Sequence, residues 1–397
     1  MYLTLFIIVL INVTKQTKAE TQDQCSILNI QDDDTRLNFT EMAIKNGYKC
    51  EEHDVITKDG YILKMFHIPG NVSRPVLLMH GFLDSADSYI LRGNRSLAGH
   101  LADSGYDVWV GNSRGNRYSR RHLHLNPDAD IAFWDYSVHE YGSYDLPAVI
   151  DFILEKTNQS QINYIGHSEG TTMMYVMGAH KRKYNEKIKL FVALAPVCYL
   201  HKSMSPLPAL LKTVLFVNRF LINVVHEILS YNSLAKKMID LVCSDDVFSY
   251  TVCIEWFLFS GTGSDAEEFE PSFLPTVIGH LPAGTSNKNM NHFAQISNRK
   301  QFAQYDYGCL ENLKRYGSFV PPRYNLKNVN MKVALFVSRN DKFATLENVK
   351  LLTDQLPNVV HKHVMEQKQW NHIDFTWGKH AYKYLYPKVS GILDKYN

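Results

Sequence analysis

The pentapeptide Gly166-His167-Ser168-Glu169-Gly170 constrains the fold of this chain more than any other feature of its sequence. It follows the apolar run 161–165 and precedes a helix-forming segment, residues 171–177. A Gly-x-Ser-x-Gly turn in that setting is so tight that a Cβ at either glycine would collide with neighbouring backbone. The turn holds the serine hydroxyl at the amino end of a helix, where developing negative charge is stabilised. We predict that Ser168 is a nucleophile, and the alternative is a glycine-rich turn without chemistry.

Short apolar runs recur along the chain and are typical of strands buried on both faces of a parallel sheet. The Asp59-Gly60 turn predicts a hairpin ahead of them. Helical patterns such as residues 145–154 lie between the runs. We therefore predict an α/β fold with a mostly parallel central sheet and helices on both faces. The runs are residues 76–79, 107–110, 162–165, 190–194, 333–337 and 361–364.

The alternation of strand and helix patterns breaks between residues 200 and 322. This segment is strongly apolar at helical spacing, and no core strand is evident after it until Val333. We predict an inserted helical cap or lid over 200–322, with a core formed by residues 20–199 and 323–397. Additional core structure is the alternative.

An apolar run over residues 2–13 is too short to span a bilayer. Thr17-Lys18-Ala19 follows it, with small residues at the two positions that a signal peptidase reads. We predict a signal peptide over residues 1–19, and the alternative is a membrane anchor. No later stretch is apolar enough to span a membrane. A secreted or lysosomal protein is therefore expected.

If the chain is exported, its sequons can be glycosylated and its six cysteines can form disulfides, because both modifications occur in the secretory pathway. Glycosylation is predicted at one or more of the sequon asparagines, which are Asn38, Asn71, Asn94 and Asn158. Cys243 and Cys253 are the favoured disulfide pair because they close a short loop. Cys25 with Cys50 is a weaker pair. Cys198 and Cys309 are expected to be free and buried.

Ser168 needs a base, because a free serine hydroxyl is a poor nucleophile at neutral pH. In chains with this elbow the acid and the base follow the serine in the order Asp/Glu, then His. Asp341 comes directly after the predicted strand 333–337, and His372 lies in the loop after the last predicted strand. We predict a catalytic triad of Ser168, Asp341 and His372. The rival bases are His361, His363 and His380.

Acyl transfer also needs donors directed at the tetrahedral oxyanion. The backbone N–H of Glu169, the residue after the nucleophile, is one predicted donor. The backbone N–H of Phe82 is the other, in the His80-Gly81-Phe82-Leu83 segment after an early strand. Gly81 would allow close approach of the backbone, and an ordinary strand-ending turn is the alternative.

Several segments together resemble the acid lipase family of the α/β-hydrolase superfamily, which includes the gastric and lysosomal acid lipases. The resemblance covers about residues 38–386, and its most specific parts are Asn112-Ser113-Arg114-Gly115-Asn116 and Phe133-Trp134. It implies the α/β-hydrolase fold, hydrolysis of lipid carboxylic esters and a movable lid within 200–322. It also implies a disulfide matching Cys243 and Cys253. Other matching segments are residues 57–63, 80–83, 109–111, 135–140, 144–148, 166–168, 282–286 and 371–375.

The resemblance maps the nucleophile, acid and base to Ser168, Asp341 and His372. Two residues depart from the family pattern. Glu169 replaces the usual Gln, and Phe82 replaces a common Leu. A carboxylate directed at the oxyanion would repel it. We therefore expect either that the Glu169 side chain is turned away or hydrogen-bonded, or that activity improves at acidic pH.

The leading hypothesis is a lipase that acts at a lipid–water interface without a cofactor. The alternatives are a catalytically weak or silent lipid-binding or storage protein on the same fold, and an enzyme that cleaves peptides or small esters. The net charge of +2 disfavours nucleic acid as a partner. No metal is predicted, because His122-Leu123-His124 is interpreted as structural, and Gly261-Thr262-Gly263 lacks the setting of a phosphate loop. The sequence predicts no oligomeric state.

Overall fold

The computed structural model describes residues 33–205, 225–243 and 249–397. Asp34–Asn397 form one unit. The predicted signal peptide, Cys25 and residues 206–224 of the predicted cap lie outside the described residues. Within the described ranges, no helix is long and apolar enough to cross a membrane.

The strands of the described residues are Glu51–Ile56 (β1), Ile62–Ile68 (β2), Asn71–Met79 (β3), Tyr106–Gly111 (β4), Ile162–His167 (β5), Ile188–Leu194 (β6), Glu227–Ile228 (β7), Thr285–Ser286 (β8), Val333–Val337 (β9) and Val359–Val364 (β10). Eight of them form one sheet in the order β1-β2-β4-β3-β5-β6-β9-β10. β1 and β2 form the expected antiparallel hairpin, and β2 is antiparallel to β4. The other pairs of this sheet are parallel. The predicted fold class is confirmed.

Two strands differ from their predictions. β3 begins at Asn71 instead of residue 76, because Asn71 pairs with Tyr106 ahead of an irregularity in the register. β10 was expected to be buried on both faces, but its residues are only partly buried or exposed. It is the last strand of the sheet and pairs with β9 alone. An edge strand contacts less of the core, so it accommodates the polar His361-Lys362-His363 segment.

The side chains of the central strands alternate between two cores, one on each face of the sheet. Leu77 and Met79 of β3 belong to one core, and Val76 and Leu78 to the other. Both faces are therefore covered by helices, which explains the unbroken apolar runs. The helices of the core are Phe39–Lys45, Leu97–Asp103, Val138–Glu140, Leu146–Thr157, Glu169–His180, Leu346–Thr353, Asp374–Trp377, Ala381–Tyr384 and Tyr386–Tyr396.

The chain between β6 and β9 is mainly helical in its described part. It also contains the antiparallel pair β7 and β8, which the sequence did not predict. Its contacts with the core include Val138 N–H, which donates to Asn289 Oδ1 at 2.8 Å. Its helices are Leu234–Val242, Phe259–Thr262, Leu274–His280, Asn287–Asn298 and Cys309–Tyr316, with a π-helical segment at Tyr250–Leu258. The bounds 200–322 and the role as a lid remain predictions.

A disulfide joins Cys243 to Cys253. It links the end of helix Leu234–Val242 to the π-helical segment. Cys198 is free and buried, as expected. The expectation that Cys309 is buried was wrong, because Cys309 begins a surface helix and is exposed.

Candidate active site

Ser168 lies between β5 and the helix Glu169–His180. Its φ of 52° and ψ of −114° are strained for a residue with a side chain. A Cβ at Gly166 would approach the backbone of Gly170 to 2.6 Å, and a Cβ at Gly170 would overlap the carbonyl oxygen of Met79. The two glycines therefore permit the tight turn that holds Ser168 at the carboxyl end of the sheet.

Three side chains from distant parts of the chain form one hydrogen-bonded line. The Ser168 hydroxyl donates to Nε2 of His372 at 2.8 Å. Nδ1–H of His372 donates to Oδ2 of Asp341 at 2.7 Å. Oδ1 of Asp341 also accepts from the N–H groups of Phe343 and Ala344, at 2.8 and 2.7 Å. The carboxylate therefore fixes the tautomer in which Nε2 is free to take the serine proton.

The backbone of His372 is held from two sides. Nε2–H of His167 donates to the His372 carbonyl oxygen at 2.8 Å, and His372 N–H donates to the Thr262 carbonyl oxygen at 3.2 Å. Burial, reinforced by the neighbouring His372, lowers the pKa of His167 to about 3. His167 therefore stays neutral. Sequence reasoning assigned no role to His167 or to the Gly261-Thr262-Gly263 segment, since both contacts join residues far apart in the chain.

The rival bases have other partners. His361 and His363 lie on the edge strand β10 with stacked rings, 6.2 Å between centroids. Nδ1 of His380 lies 3.1 Å from Oε1 of Glu268. Of the four candidate histidines, His372 is the one that contacts Ser168.

The turn after β3 lies against Ser168, since a Cβ at Gly81 would be 3.4 Å from the Ser168 Cβ. His80 braces this turn. Its Nδ1–H donates to the Gly81 carbonyl oxygen at 2.8 Å, and its Nε2 accepts from Ser113 N–H at 3.1 Å. Burial lowers the pKa of His80 to about 4, so the ring keeps one donor and one acceptor at neutral pH. His80 and Ser113 both lie in motifs that the sequence analysis identified, but the sequence did not predict the hydrogen bond between them.

The two predicted oxyanion donors flank Ser168. Glu169 begins the helix, and the first N–H groups of a helix have no acceptor within it. Phe82 follows Gly81 in the turn beside Ser168, and its ring packs edge-on against Phe293, 5.4 Å between centroids. The side chain of Phe82 thus contacts the insertion, while its role as a backbone donor remains a proposal.

The Glu169 side chain is buried and hydrogen-bonded. Its Oε1 accepts from Nδ2 of Asn289 at 2.6 Å. The pKa of the carboxyl is raised to about 8, mainly by burial; the Asn289 hydrogen bond opposes this rise and the Asp84 carboxyl adds to it. Glu169 is therefore largely protonated and uncharged at neutral pH.

Comparisons with known proteins agree with this geometry. Residues 74–224 match the model of the alpha/beta hydrolase fold, and residues 39–93 match a partial alpha/beta-hydrolase lipase region. Lipase 1 of Drosophila melanogaster is 38% identical over 94% of this chain and 83% of that protein. Human gastric triacylglycerol lipase is 36% identical over 90% of this chain and 91% of that protein. The chain belongs to the acid lipase family.

Solved structures show the fold of this acid lipase family member at much lower identity. Monoglyceride lipase of Saccharomyces cerevisiae superposes with a TM-score of 0.54 at 15% identity, covering 86% of this chain and 94% of its own. An epoxide hydrolase of Vigna radiata gives a TM-score of 0.50 at 15% identity, covering 87% and 98%. Both establish the α/β-hydrolase fold.

The family's Asn-Ser-Arg-Gly-Asn segment carries a buried cation. The Arg114 guanidinium donates to Oδ1 of Asp145 at 2.8 and 2.5 Å and to Oδ2 of Asp59 at 2.5 Å. It also lies 3.9 Å from the ring centroid of Tyr61. Arg114 therefore joins the loop after β4 to the first hairpin and to the segment before helix Leu146–Thr157. We assign it a scaffolding role.

The His122–His124 pair and the sequons have structural contacts of their own. Nε2–H of His122 donates to the Asp59 carbonyl oxygen at 2.7 Å, and its Nδ1 accepts from His124 N–H at 3.0 Å. Asn38 caps helix Phe39–Lys45 by accepting from Glu41 N–H at 2.9 Å. Glycosylation remains a prediction. The other sequon asparagines are exposed: Asn71, Asn94 and Asn158.

Proposed function

We propose that this acid lipase family member hydrolyses lipid carboxylic esters through an acyl-enzyme on Ser168. The observation that carries the proposal is the continuous line from the Ser168 hydroxyl through His372 to Asp341, with contacts of 2.8 and 2.7 Å. The names of the relatives support the substrate class, since they are a lipase and a triacylglycerol lipase.

In the acylation step, Ser168 Oγ attacks the ester carbonyl carbon while its proton moves to Nε2 of His372. The negative charge develops on the carbonyl oxygen, where the N–H groups of Phe82 and Glu169 would donate hydrogen bonds. The tetrahedral intermediate collapses as the carbon–alkoxy bond breaks. His372 returns the proton to the leaving alcohol, and Asp341 stabilises the imidazolium between these transfers.

In the deacylation step, water replaces the alcohol beside His372. Nε2 takes one water proton as the water oxygen attacks the acyl carbon. Cleavage of the bond to Ser168 Oγ then releases a carboxylic acid, and the proton on His372 returns to the serine. Atoms and charges balance with water as the only co-reactant.

The described part of the insertion carries apolar side chains that support action at a lipid surface. On helix Leu234–Val242 these are Leu234, Met238 and Leu241, which share one face by their spacing and are exposed. Trp256 and Phe257 are each 69% exposed on the π-helical segment. The Cys243–Cys253 disulfide ties the two elements together. Such a surface suits contact with an aggregate of lipid esters and a lid role for the insertion.

We also propose passage through the secretory pathway, to the extracellular space or the lysosome. The apolar run at residues 2–13, the disulfide and the exposed sequon asparagines support it. Sequencing the amino terminus of the exported protein should show Glu20 as the first residue. A peptide:N-glycosidase should reduce its mass. Retention of residues 1–19, or an unchanged mass, would contradict the corresponding part of the proposal.

The decisive experiment measures turnover of short- and long-chain acylglycerols between acid and neutral pH, in wild type and Ser168→Ala. We expect turnover in the wild type and loss of nearly all of it in the variant, with lipid binding retained. Equal rates in both proteins would remove the enzyme proposal. Lipid binding without turnover in either would favour the silent lipid-binding alternative.

A further inference from the structure

A cluster of possible metal-ligand side chains lies at the amino end of β1 and takes no part in the proposed ester hydrolysis. Glu51 and His53 lie two residues apart on β1, so their side chains share a face of the strand. His67 on β2 is the register partner of Glu51. One ligand-type atom from each of the three side chains lies within 4.8 Å of the other two.

The hydrogen bond behind His67 determines which atom faces the cluster. Nε2 of His67 lies 2.7 Å from Oδ1 of the buried Asp107, so Nδ1 is the ring nitrogen that faces Glu51. Asp107 is itself held by Trp109 Nε1–H at 2.7 Å and Gly70 N–H at 3.0 Å. A carboxylate that orients the far nitrogen of a histidine is the usual support of a metal-bound imidazole.

One ring nitrogen of each histidine faces the same carboxylate oxygen. Nδ1 of His67 lies 3.2 Å from Oε2 of Glu51. Nε2 of His53 lies 3.4 Å from the same oxygen and is buried without a hydrogen-bond partner among the described residues. A cation between these three side chains would be attracted by the Glu51 carboxylate and could accept lone pairs from the two imidazoles.

The spacing fits a four-coordinate transition-metal ion. Bonds of about 2.0–2.1 Å in a tetrahedron place neighbouring ligand atoms about 3.3 Å apart. The two contacts to Glu51 Oε2 measure 3.2 and 3.4 Å, and the two histidine nitrogens lie within 4.8 Å of each other, so the rings would move closer together around an ion. Two imidazoles and one carboxylate suit Zn²⁺, whereas Mg²⁺ and Ca²⁺ prefer oxygen ligands alone.

The surroundings favour a structural ion over a catalytic one. The His67 ring stacks on Trp109 with 3.7 Å between centroids, and the His53 ring lies 5.4 Å from that of Phe152. His67 pairs with Trp109 of β4 and is the next-to-last residue of β2. The ion would join the start of the edge strand β1 to β2. Lys156, on the adjacent helix, acts electrostatically on His53 and opposes the bound charge.

We propose that Glu51 Oε2, His53 Nε2 and His67 Nδ1 bind one Zn²⁺ ion, with water as the fourth ligand. The site is separate from the triad and independent of the proposed ester hydrolysis. Bound Zn²⁺ stabilises the folded chain, because the unfolded chain does not hold the three ligands together.

The test uses the full mature chain without an affinity tag, stripped with a chelator and titrated with Zn²⁺ by calorimetry. We expect one equivalent to bind and Tm to rise by at least about 2 °C at saturation. Co²⁺ in place of Zn²⁺ should give the intense visible absorption of a four-coordinate site. Ester turnover should be unchanged by the ion, which separates this result from that of the proposed function.

Three variants locate the site. Glu51→Gln and His53→Gln each remove one ligand, and each should weaken Zn²⁺ binding by more than the roughly 10- to 100-fold typical of losing a second-shell partner. Glu52→Gln is the matched control, because its side chain pairs with Lys64 instead. Circular dichroism of the metal-free proteins establishes that each variant folds.

The proposal is wrong if the stripped wild type takes up no stoichiometric Zn²⁺. It is equally wrong if Glu51→Gln and His53→Gln bind the ion as tightly as Glu52→Gln does. In either case a protonated His67 shared between Asp107 and Glu51 would explain the short contacts.

Discussion

The Glu169 carboxyl and the Asn289 carboxamide connect the nucleophile elbow to the insertion through a 2.6 Å hydrogen bond. The resemblance to the acid lipase family leads us to expect glutamine at the position of Glu169. Burial raises the pKa of this carboxyl to about 8, so below that pH it is an uncharged group of nearly the same shape as glutamine. In acid and neutral conditions the side chain at position 169 is therefore largely uncharged, as glutamine would be.

The first prediction concerns the alkaline limit of activity. We expect kcat/KM of the wild type to fall as pH rises through about 8, because a charged carboxylate on the residue whose N–H is a proposed oxyanion donor would disfavour the negative charge of the intermediate. Glu169→Gln should keep its activity through that range. The measurement is the pH–rate profile on a soluble ester, with Glu155→Gln on an exposed position as the control. Identical alkaline limbs in wild type and Glu169→Gln would contradict this role.

The same carboxyl predicts a pH dependence of stability. Its pKa is about 8 in the folded chain and close to 4.5 in the unfolded chain. Between these values the folded state binds more protons, so the Glu169 contribution to stability is lost as pH rises. Glu169→Gln should therefore gain about 1–3 kcal/mol relative to wild type between pH 5 and pH 7.5. Urea unfolding at both pH values tests this, and a constant difference would refute it.

His167 is predicted to position His372 through the backbone carbonyl, without contacting substrate. His167→Leu removes the 2.8 Å hydrogen bond and should lower kcat by about tenfold, the equivalent of about 1.4 kcal/mol. His167→Gln retains an N–H at the end of its side chain and should recover much of the loss. Steady-state kinetics at pH 7 should show KM little changed. If both variants lose the same activity, the hydrogen bond is not the cause.

Arg114 provides a prediction about stability. Arg114→Lys keeps the charge but loses the forked contacts with Asp145 and Asp59 in a buried setting, so we expect a loss of about 3–5 kcal/mol. Arg121→Lys is the matched control, since the Arg121–Asp54 pair is largely exposed and should cost about 1 kcal/mol or less. Denaturant unfolding measures both. Equal losses would mean that burial does not distinguish the two arginines.

The exposed aromatic pair on the insertion is predicted to promote turnover of substrate at a lipid surface, but not of dissolved substrate. Replacing Trp256 and Phe257 together by Ser should lower turnover of emulsified long-chain acylglycerol by about tenfold or more, as several kcal/mol of apolar contact is lost. Turnover of a dissolved short-chain ester should be unchanged. Ile44→Ser alters an exposed apolar residue on a core helix and is the control. A parallel loss on both substrates would argue against an interfacial role.

The local sequence pattern was sufficient to predict the elements whose conformation depends on residues close together in the chain. The Gly166 and Gly170 positions predict the elbow because its backbone excludes side chains there. Apolar runs predict β3 to β6 because strands buried on both faces leave no room for polar groups. The same reasoning was wrong about the burial of β10, because β10 is an edge strand, and a sheet edge tolerates polar side chains that a central strand does not.

Only the tertiary structure showed the hydrogen bonds between residues far apart in the chain that surround Ser168 and His372. Glu169 meets Asn289 across 120 residues, and His167 reaches the carbonyl of His372 across 205. Neither contact leaves a periodic signal, because each depends on how separate elements pack. The same holds for His67 and Asp107, which lie 40 residues apart in the chain and in contact in the fold. Chain order identified the residues capable of chemistry, and packing determined their protonation states and partners.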